Sequence, residues 1–169
     1  MGLFQNLFKG NANVSFEAPP MTILAPLDGC AMNLGKLPDE VFASGTLGNG
    51  CGIEPNEDTV YAPFEGVVTQ VADTKHAIGL ESSDGIELLI HVGVDTVEMN
   101  GKGFKSLAKA GDSVKAGSPR LKFDKAAIEA AGHPTVVAII VTNTDDFSEV
   151  NLMLEGAVSH GSPLLKLSK

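Results

Sequence analysis

The chain has no tryptophan, one tyrosine and two cysteines among 169 residues. Aromatic side chains are 5% of the total, so the core must be built from Val, Ile and Leu. Cys30 and Cys51 lie 21 residues apart and form no CxxC pair. The N-terminus has neither the apolar region nor the small-residue cleavage site of a secretory signal. Both thiols are therefore expected to be reduced and buried, in a cytoplasmic protein. Cations are scarce: 12 Lys and Arg stand against 21 Asp and Glu, a net charge of −9. Neutralising phosphates needs clustered cations, so nucleic acid is excluded as a partner, and basic proteins or small molecules are favoured. No apolar run approaches the roughly 18 residues that cross a bilayer. There is no P-loop and no GxGxxG, so nothing points to a nucleotide site.

What is present is a turn-rich, β-branched pattern. With 19 Gly and 9 Pro, the chain alternates turns with short apolar runs, which predicts an all-β, antiparallel domain with a few short helices. Residues 19–169 are expected to form one domain, preceded by a tail over residues 1–18 that is flexible or weakly amphipathic. Leu3, Phe4, Leu7 and Phe8 recur at helical spacing there. With Lys9 as its one cation, the stretch over residues 1–10 predicts at most weak membrane contact. Two echoes mark an internal duplication. Ile23-Leu-Ala-Pro-Leu-Asp-Gly29 matches Val60-Tyr-Ala-Pro-Phe-Glu-Gly66, and Gly117-Ser-Pro-Arg-Leu-Lys122 matches Gly161-Ser-Pro-Leu-Leu-Lys166. The two offsets differ, which excludes a solenoid and favours two related β half-units packed together. Asp124 is placed to cap a helix over Lys125 to Ala131. Phe104 to Ala110 is expected to make one or two helical turns, and Asp39 to Phe42 another. The β-branched run Thr135 to Thr142 predicts a strand buried on both faces.

The most informative stretch runs from His76 to His91. Ser82-Ser83-Asp84-Gly85 is a turn signal between two strand-like runs. A two- or four-residue loop pairs Glu81 with Ile86, Ile78 with Leu89 and His76 with His91. The two imidazoles then oppose each other on one sheet face, over an apolar floor of Ile78 and Leu89. A three-residue loop with a bulge shifts this register. On the second strand Ile86, Leu88, Ile90, Val92 and Val94 form the core face, and Glu87, Leu89, His91, Gly93 and Asp95 the other. A paired-histidine site suits two chemistries. One is a zinc ion with Asp95 as third ligand. The other is phosphoryl transfer, one imidazole nitrogen acting as nucleophile and the second histidine donating to phosphate oxygens. Without a nucleotide site, the phosphoryl group has to come from another protein. His133 and His160 read as surface loop residues without a role.

Gly85-Ile-Glu-Leu-Leu-Ile-His91-Val-Gly-Val-Asp-Thr-Val97 resembles the active-site signature of the glucose-type enzyme IIA proteins of the bacterial phosphoenolpyruvate:sugar phosphotransferase system. The likeness extends over Met1-Gly-Leu-Phe4, both Ala-Pro repeats, Leu37-Pro-Asp-Glu-Val-Phe42 and Gly101-Lys-Gly-Phe104. It implies a β-sandwich or flattened barrel built from a duplicated hybrid motif. It also implies that His91 accepts a phosphoryl group from the phosphocarrier HPr and passes it to a cysteine of a sugar-specific enzyme IIB. His76 matches the second histidine and Thr74 a hydrogen-bonding threonine. Asp39, Val41, Phe42, Ile78, Leu89 and Asp95 fall where the partners dock. The opening at Met1 favours a free protein over a domain of a permease. Ala72, Ile78 and Leu89 stand near the site where family members carry phenylalanines, which predicts an aliphatic rim, and Lys75 precedes His76 where a neutral residue is common. The resemblance implies no cofactor, beyond a possible zinc ion at His76 and His91. The rival reading from another class is a zinc metallopeptidase of the lysostaphin type. His91-Val-Gly-Val-Asp95 fits its HxxxD, but the HxH pair is missing. A lipoyl- or biotinyl-type carrier fails because the hairpin tip, Ser83-Asp84, holds no lysine.

Overall fold

The computed structural model describes residues 17–169, so the amphipathic stretch over residues 1–10 lies outside the described residues. The first half of the chain forms β1 (Thr22–Leu24), β2 (Gly29–Asn33), β3 (Asn49–Pro55), β4 (Thr59–Tyr61), β5 (Gly66–Val71), β6 (Ala77–Ser82) and β7 (Glu87–Val92). The second forms β8 (Phe104–Ser106), β9 (Ser113–Val114), β10 (Pro119–Phe123), β11 (Val137–Val141), β12 (Glu149–Leu152), β13 (Gly156–Val158) and β14 (Pro163–Ser168). Two short helices, α1 (Glu40–Ala43) and α2 (Lys125–Ala130), complete the described elements with three 3-10 turns. Asp39 caps α1 by accepting from Phe42 N, and Asp124 caps α2 by accepting from Ala127 N, each at 3.1 Å. The helix expected from Phe104 is instead β8, whose residues pair with Leu121 to Phe123 on β10. A β-partner there outweighs the local helical spacing.

All strand pairings are antiparallel, in three sheets. The large one runs β13-β2-β3-β11-β7-β6-β5-β9, and the small ones β1-β14-β12 and β4-β10-β8. This order is a palindrome about the β11/β7 pair, where Ile139 faces Ile90. The duplication read from the two echoes is visible bond by bond. Leu24 N donates to Pro63 O at 3.0 Å, and Tyr61 N donates to Pro26 O at 2.7 Å. Ala25 bonds Ser162 and Gly161 as Ala62 bonds Ser118 and Gly117. Gly29 pairs with Val158 as Gly66 pairs with Val114. The half-units thus cross over one another, each Ala-Pro segment bonding the other.

Strand β11 has every residue buried, as the β-branched run demands. Ile90, Ile139, Leu121, Ile128 and Leu164 have no exposed surface. Each such side chain contributes about 1.5–3 kcal/mol of transfer free energy. A smaller cluster on the other sheet face gathers Leu34, Leu37, Phe42, Val94, Val136, Ala138 and Ile140. Cys51 is buried and its thiol is pushed up to about 12 by desolvation. Cys30 is exposed, contrary to expectation, because it lies on the outward side of β2. Both are free thiols.

Candidate functional site

The hairpin register differs by one residue from the two- or four-residue loop. Ser82 N donates to Ile86 O at 2.8 Å, leaving Ser83, Asp84 and Gly85 as a three-residue loop. Gly85 takes φ of +91°, the left-handed position such loops need. Ala77 therefore pairs with His91, Ile78 with Ile90 and Gly79 with Leu89. Ile78 turns into the main core with 1% exposure, so it offers nothing to a partner. Leu89 stays on the His91 side, half-buried against the smaller cluster. Within β7 the division into a core face and a His91 face stands as the alternation predicts, but Val94, expected on the core face, packs in the smaller cluster instead, because the left-handed Gly93 breaks the alternation before it.

The histidines meet by another route. His76 lies just before β6, at the end of a tight turn closed by Lys75 N donating to Ala72 O (2.8 Å) and Ala72 N to Ala77 O (3.0 Å). Lys75 takes φ of +62° there. Outside the regular strand, His76 is freed from the alternation that would turn it away from His91. Its carbonyl still accepts from Val92 N at 2.8 Å. The two rings stand edge to face, centroids 4.8 Å apart and planes at 80°.

Each ring is oriented through Nδ1. His91 Nδ1 lies 2.8 Å from Gly93 O. A carbonyl only accepts, so Nδ1 carries the proton and Nε2 the lone pair. His76 Nδ1 lies 2.7 Å from Thr74 Oγ1. A hydroxyl donating there leaves the proton on His76 Nε2. Gly93 holds φ of +76°, and a Cβ on it would come within 2.5 Å of Thr96 Cγ2 and 3.0 Å of Pro134 O. That carbonyl can be presented to the ring only by glycine. Burial lowers the pKa of His76 to about 4, with the neighbouring His91 as second cause. Burial also lowers that of His91, against the opposing pull of the Gly93 bond and the charges of Asp39 and Asp95. At neutral pH both imidazoles are uncharged, so the lone pair of His91 is available to an electrophile.

The surroundings are apolar with an acidic edge. Phe42 meets His91 edge-on at 5.0 Å, and Phe104 meets His76 at 6.4 Å. The expected aliphatic rim is thus aromatic where it touches the rings. Val41 and Val97 are 51% and 52% exposed, each two residues beyond an acid that acts on His91. Asp95 is exposed in a left-handed conformation, φ of +60°. Of the expected residues, the structure brings His91, His76, Thr74, Asp39, Val41, Phe42, Leu89 and Asp95 to this end of the sheet, and not Ile78. It adds the Gly93 carbonyl, Val97 and Phe104. All three lay inside the signature and the Gly101 to Phe104 motif, but neither motif shows which backbone carbonyl meets a ring or which residue distant in sequence packs beside it.

The third zinc ligand expected from Asp95 is not met. Among the described residues, the grouping of three metal-ligating side chains is Asp28, Glu57 and His160 instead. His160 is itself no idle loop residue, since it is half-buried and stacked on Tyr61. Among the described residues no helix is long and apolar enough to cross a membrane.

A duplicated antiparallel β frame with two neutral, oriented imidazoles at one sheet end defines a histidine-based group-transfer protein. Residues 21–147 match the family described as phosphoenolpyruvate-dependent sugar phosphotransferase system, EIIA 1. The chain is similar to a PTS system glucose-specific EIIA component of Bacillus cereus, 38% identical over 95% of this chain and 94% of that one. A Staphylococcus aureus protein of the same name is 40% identical over 94% of each chain. A β-glucoside-specific EIIBCA component of Dickeya chrysanthemi is 42% identical over 86% of this chain and 23% of its own length. The solved glucose permease IIA from Mycoplasma capricolum superimposes with a TM-score of 0.78 at 32% identity, over 85% of this chain and 93% of that one. The chain belongs to the EIIA family of the phosphoenolpyruvate-dependent sugar phosphotransferase system, and is a phosphoryl carrier of sugar uptake. No finding supports the metallopeptidase reading.

Proposed function

We propose that His91 Nε2 takes the phosphoryl group from phospho-HPr and passes it to a cysteine of a sugar-specific enzyme IIB in the cytoplasm. The observation that carries this is the His91 Nδ1 to Gly93 O bond of 2.8 Å, which leaves Nε2 as the nucleophile. In the first step the Nε2–phosphorus bond forms as the bond from phosphorus to the donor breaks. In the second, the acceptor thiolate attacks phosphorus and Nε2 leaves with its lone pair restored. His76, steadied by Thr74, donates from Nε2 to a phosphoryl oxygen of the group held on His91 and so assists its passage onward. Such transfer rests on positioning and charge stabilisation, which a pair of fixed imidazoles supplies. Val41 and Val97, Leu89 beside the site, and the acids Asp39 and Asp95 make an interface for a basic, partly apolar partner such as HPr. The His76 and His91 pair supplies two ligands for a zinc ion, and the carrier chemistry does not call for one. The carrier function belongs to the single domain over residues 19–169.

The test is incubation with phosphoenolpyruvate, enzyme I and HPr. One acid-labile phosphate per chain, mapped to His91 and absent when ATP replaces phosphoenolpyruvate, is the expected result. Labelling from ATP alone, or label on His76, overturns the assignment.

A further inference from the structure

We propose that Asp28, Glu57 and His160 form a second site, separate from the histidine pair, that binds one divalent transition-metal ion of the zinc type. The three residues come from different segments: Asp28 from just before β2, Glu57 from the β3–β4 turn, and His160 from the β13–β14 connection. Their ligand atoms all lie within 4.8 Å of one another. In the large sheet, β11 and β3 stand between β2 and the strand that carries His91.

The geometry is held from several sides. Asp28 Oδ1 accepts from both the main-chain N of His160 (2.6 Å) and its Nδ1 (2.8 Å). Tyr61 stacks on the imidazole, centroids 3.9 Å apart and planes at 12°, which fixes the ring plane. The Glu57 and Asp28 carboxyl groups are close enough to share a hydrogen bond. Burial and Asp28 raise the pKa of Glu57, while the contacts of His160 help hold that of Asp28 down. Burial and the charges of Glu57, Asp28 and Asp58 also raise that of Tyr61. Two carboxyl groups thus converge on one imidazole from three segments of the chain, a donor set suited to a divalent transition-metal ion.

The duplicated frame supplies an internal control. Asn56 N donates to Asp28 O and Ser83 N donates to Glu65 O, both at 3.1 Å, so the two hairpin turns correspond. In the second half the turn acid is Asp84, whose carboxylate accepts from Met21 N (2.7 Å) and Ser82 Oγ (2.5 Å). Protein donors neutralise it. In the first half the turn acid, Glu57, faces another carboxyl group instead, with an imidazole beside it.

Two carboxylates and one imidazole match zinc, with a water in the fourth position. Calcium and magnesium take six or more oxygen ligands and gain little from an imidazole. Bonds of about 2.0–2.1 Å in a tetrahedron set donors roughly 3.3 Å apart, so the 2.8 Å contact between Asp28 and His160 opens slightly around an ion, and any wider separation in the group closes.

The chain has one tyrosine and no tryptophan, so its near-ultraviolet emission reports from Tyr61 alone, against His160. The experiment titrates zinc chloride into full-length His76→Gln/His91→Gln protein, with emission and equilibrium dialysis as readouts. One zinc per chain and a Tyr61 emission change saturating at one equivalent are expected, with magnesium and calcium giving neither. Adding His160→Gln or Glu57→Gln, the latter in an exposed turn, weakens binding at least about tenfold. The proposal is overturned if the double variant retains no zinc. It is equally overturned if emission and stoichiometry survive both added substitutions, or if zinc binds only when His76 and His91 are intact.

Discussion

The two half-units share a frame, but one of them carries the chemistry. The pairing of β3 with β11 repeats that of β6 with β7, which places Asn49 at the position of His76 and Ile140 at that of His91. Even the bonds that leave the strands repeat: Gly93 N donates to Val136 O at 2.9 Å, and Thr142 N to Glu87 O at 2.8 Å. Yet Ile140 is fully buried under the smaller cluster, whereas His91 stands at that cluster's border against Phe42. Asn49 spends its side-chain oxygen on Gly50 N at 2.8 Å, while His76 turns its ring to a partner imidazole. The frame is therefore indifferent to function. The site arises from local departures: the Ala72–Ala77 turn, the left-handed Gly93 and the left-handed Asp95.

The largest expected effect tests whether position or surroundings make the nucleophile. His91→Gln abolishes phosphoryl acceptance from HPr. Ile140→His, in that background, does not restore it, because the new imidazole is buried in the smaller cluster without an orienting carbonyl. It costs about 2–5 kcal/mol, seen by urea unfolding. Label on residue 140 would show that position in the frame, not its surroundings, makes the nucleophile. Next in size, Gly93→Ala forces a Cβ into Thr96 and the Pro134 carbonyl. It should cost about 1–3 kcal/mol of stability and slow phosphorylation, whereas Thr142→Ala at the matching position changes stability by at most about 0.5 kcal/mol. Equal costs at the two positions would show that Gly93 is no more constrained than its counterpart.

The two echoes and the alternation of β7 made the frame legible, because Ala-Pro and Gly-Ser-Pro occupy the bonds where the half-units cross. The pairing of His76 with His91 was legible too, but for a reason the register does not give. Direct opposition requires a two- or four-residue loop, and Ser82 side-chain bonding with Gly85 in the left-handed region makes three. The rings meet because His76 leaves the strand. Phe104 was hidden because its helical spacing was local, while its partners Phe123 and His76 are distant in sequence. His160 was hidden likewise, since no pattern around it points to Asp28 or Tyr61.

A smaller effect separates the roles of the two imidazoles. His76→Gln should still accept the phosphoryl group but pass it to enzyme IIB about a hundredfold more slowly, the usual loss for a donor aimed at transferring charge. It should also change acid stability. His76 titrates near 4 when folded and near 6.5 when unfolded. The unfolded chain then binds the extra proton first, so stability falls as pH drops from about 6.5 to about 4. Denaturant unfolding across that window should show a shallower fall in His76→Gln. An unchanged slope would mean that another group controls it.

The smallest effect concerns the acidic edge, where Asp39 and Asp95 act on His91 through charge yet differ structurally. Asp39 also caps α1, so Asp39→Asn preserves the acceptor and should leave stability nearly unchanged. Asp95 makes no side-chain cap bond, and Asn tolerates its left-handed backbone as well as Asp does. Each substitution removes one charge from a docking face that is screened over about 8 Å at physiological salt. Phosphotransfer from HPr should slow less than about tenfold in either variant at low salt, and the difference from wild type should vanish as salt rises. Asp39→Ala differs in kind, because losing the cap costs about 1 kcal/mol and loosens Phe42 against His91 at every salt concentration. Rates for Asp39→Asn and Asp39→Ala measured across a salt series therefore divide steering from support. If the two variants follow the same salt curve, the cap contributes nothing to the site and Asp39 acts there by charge alone.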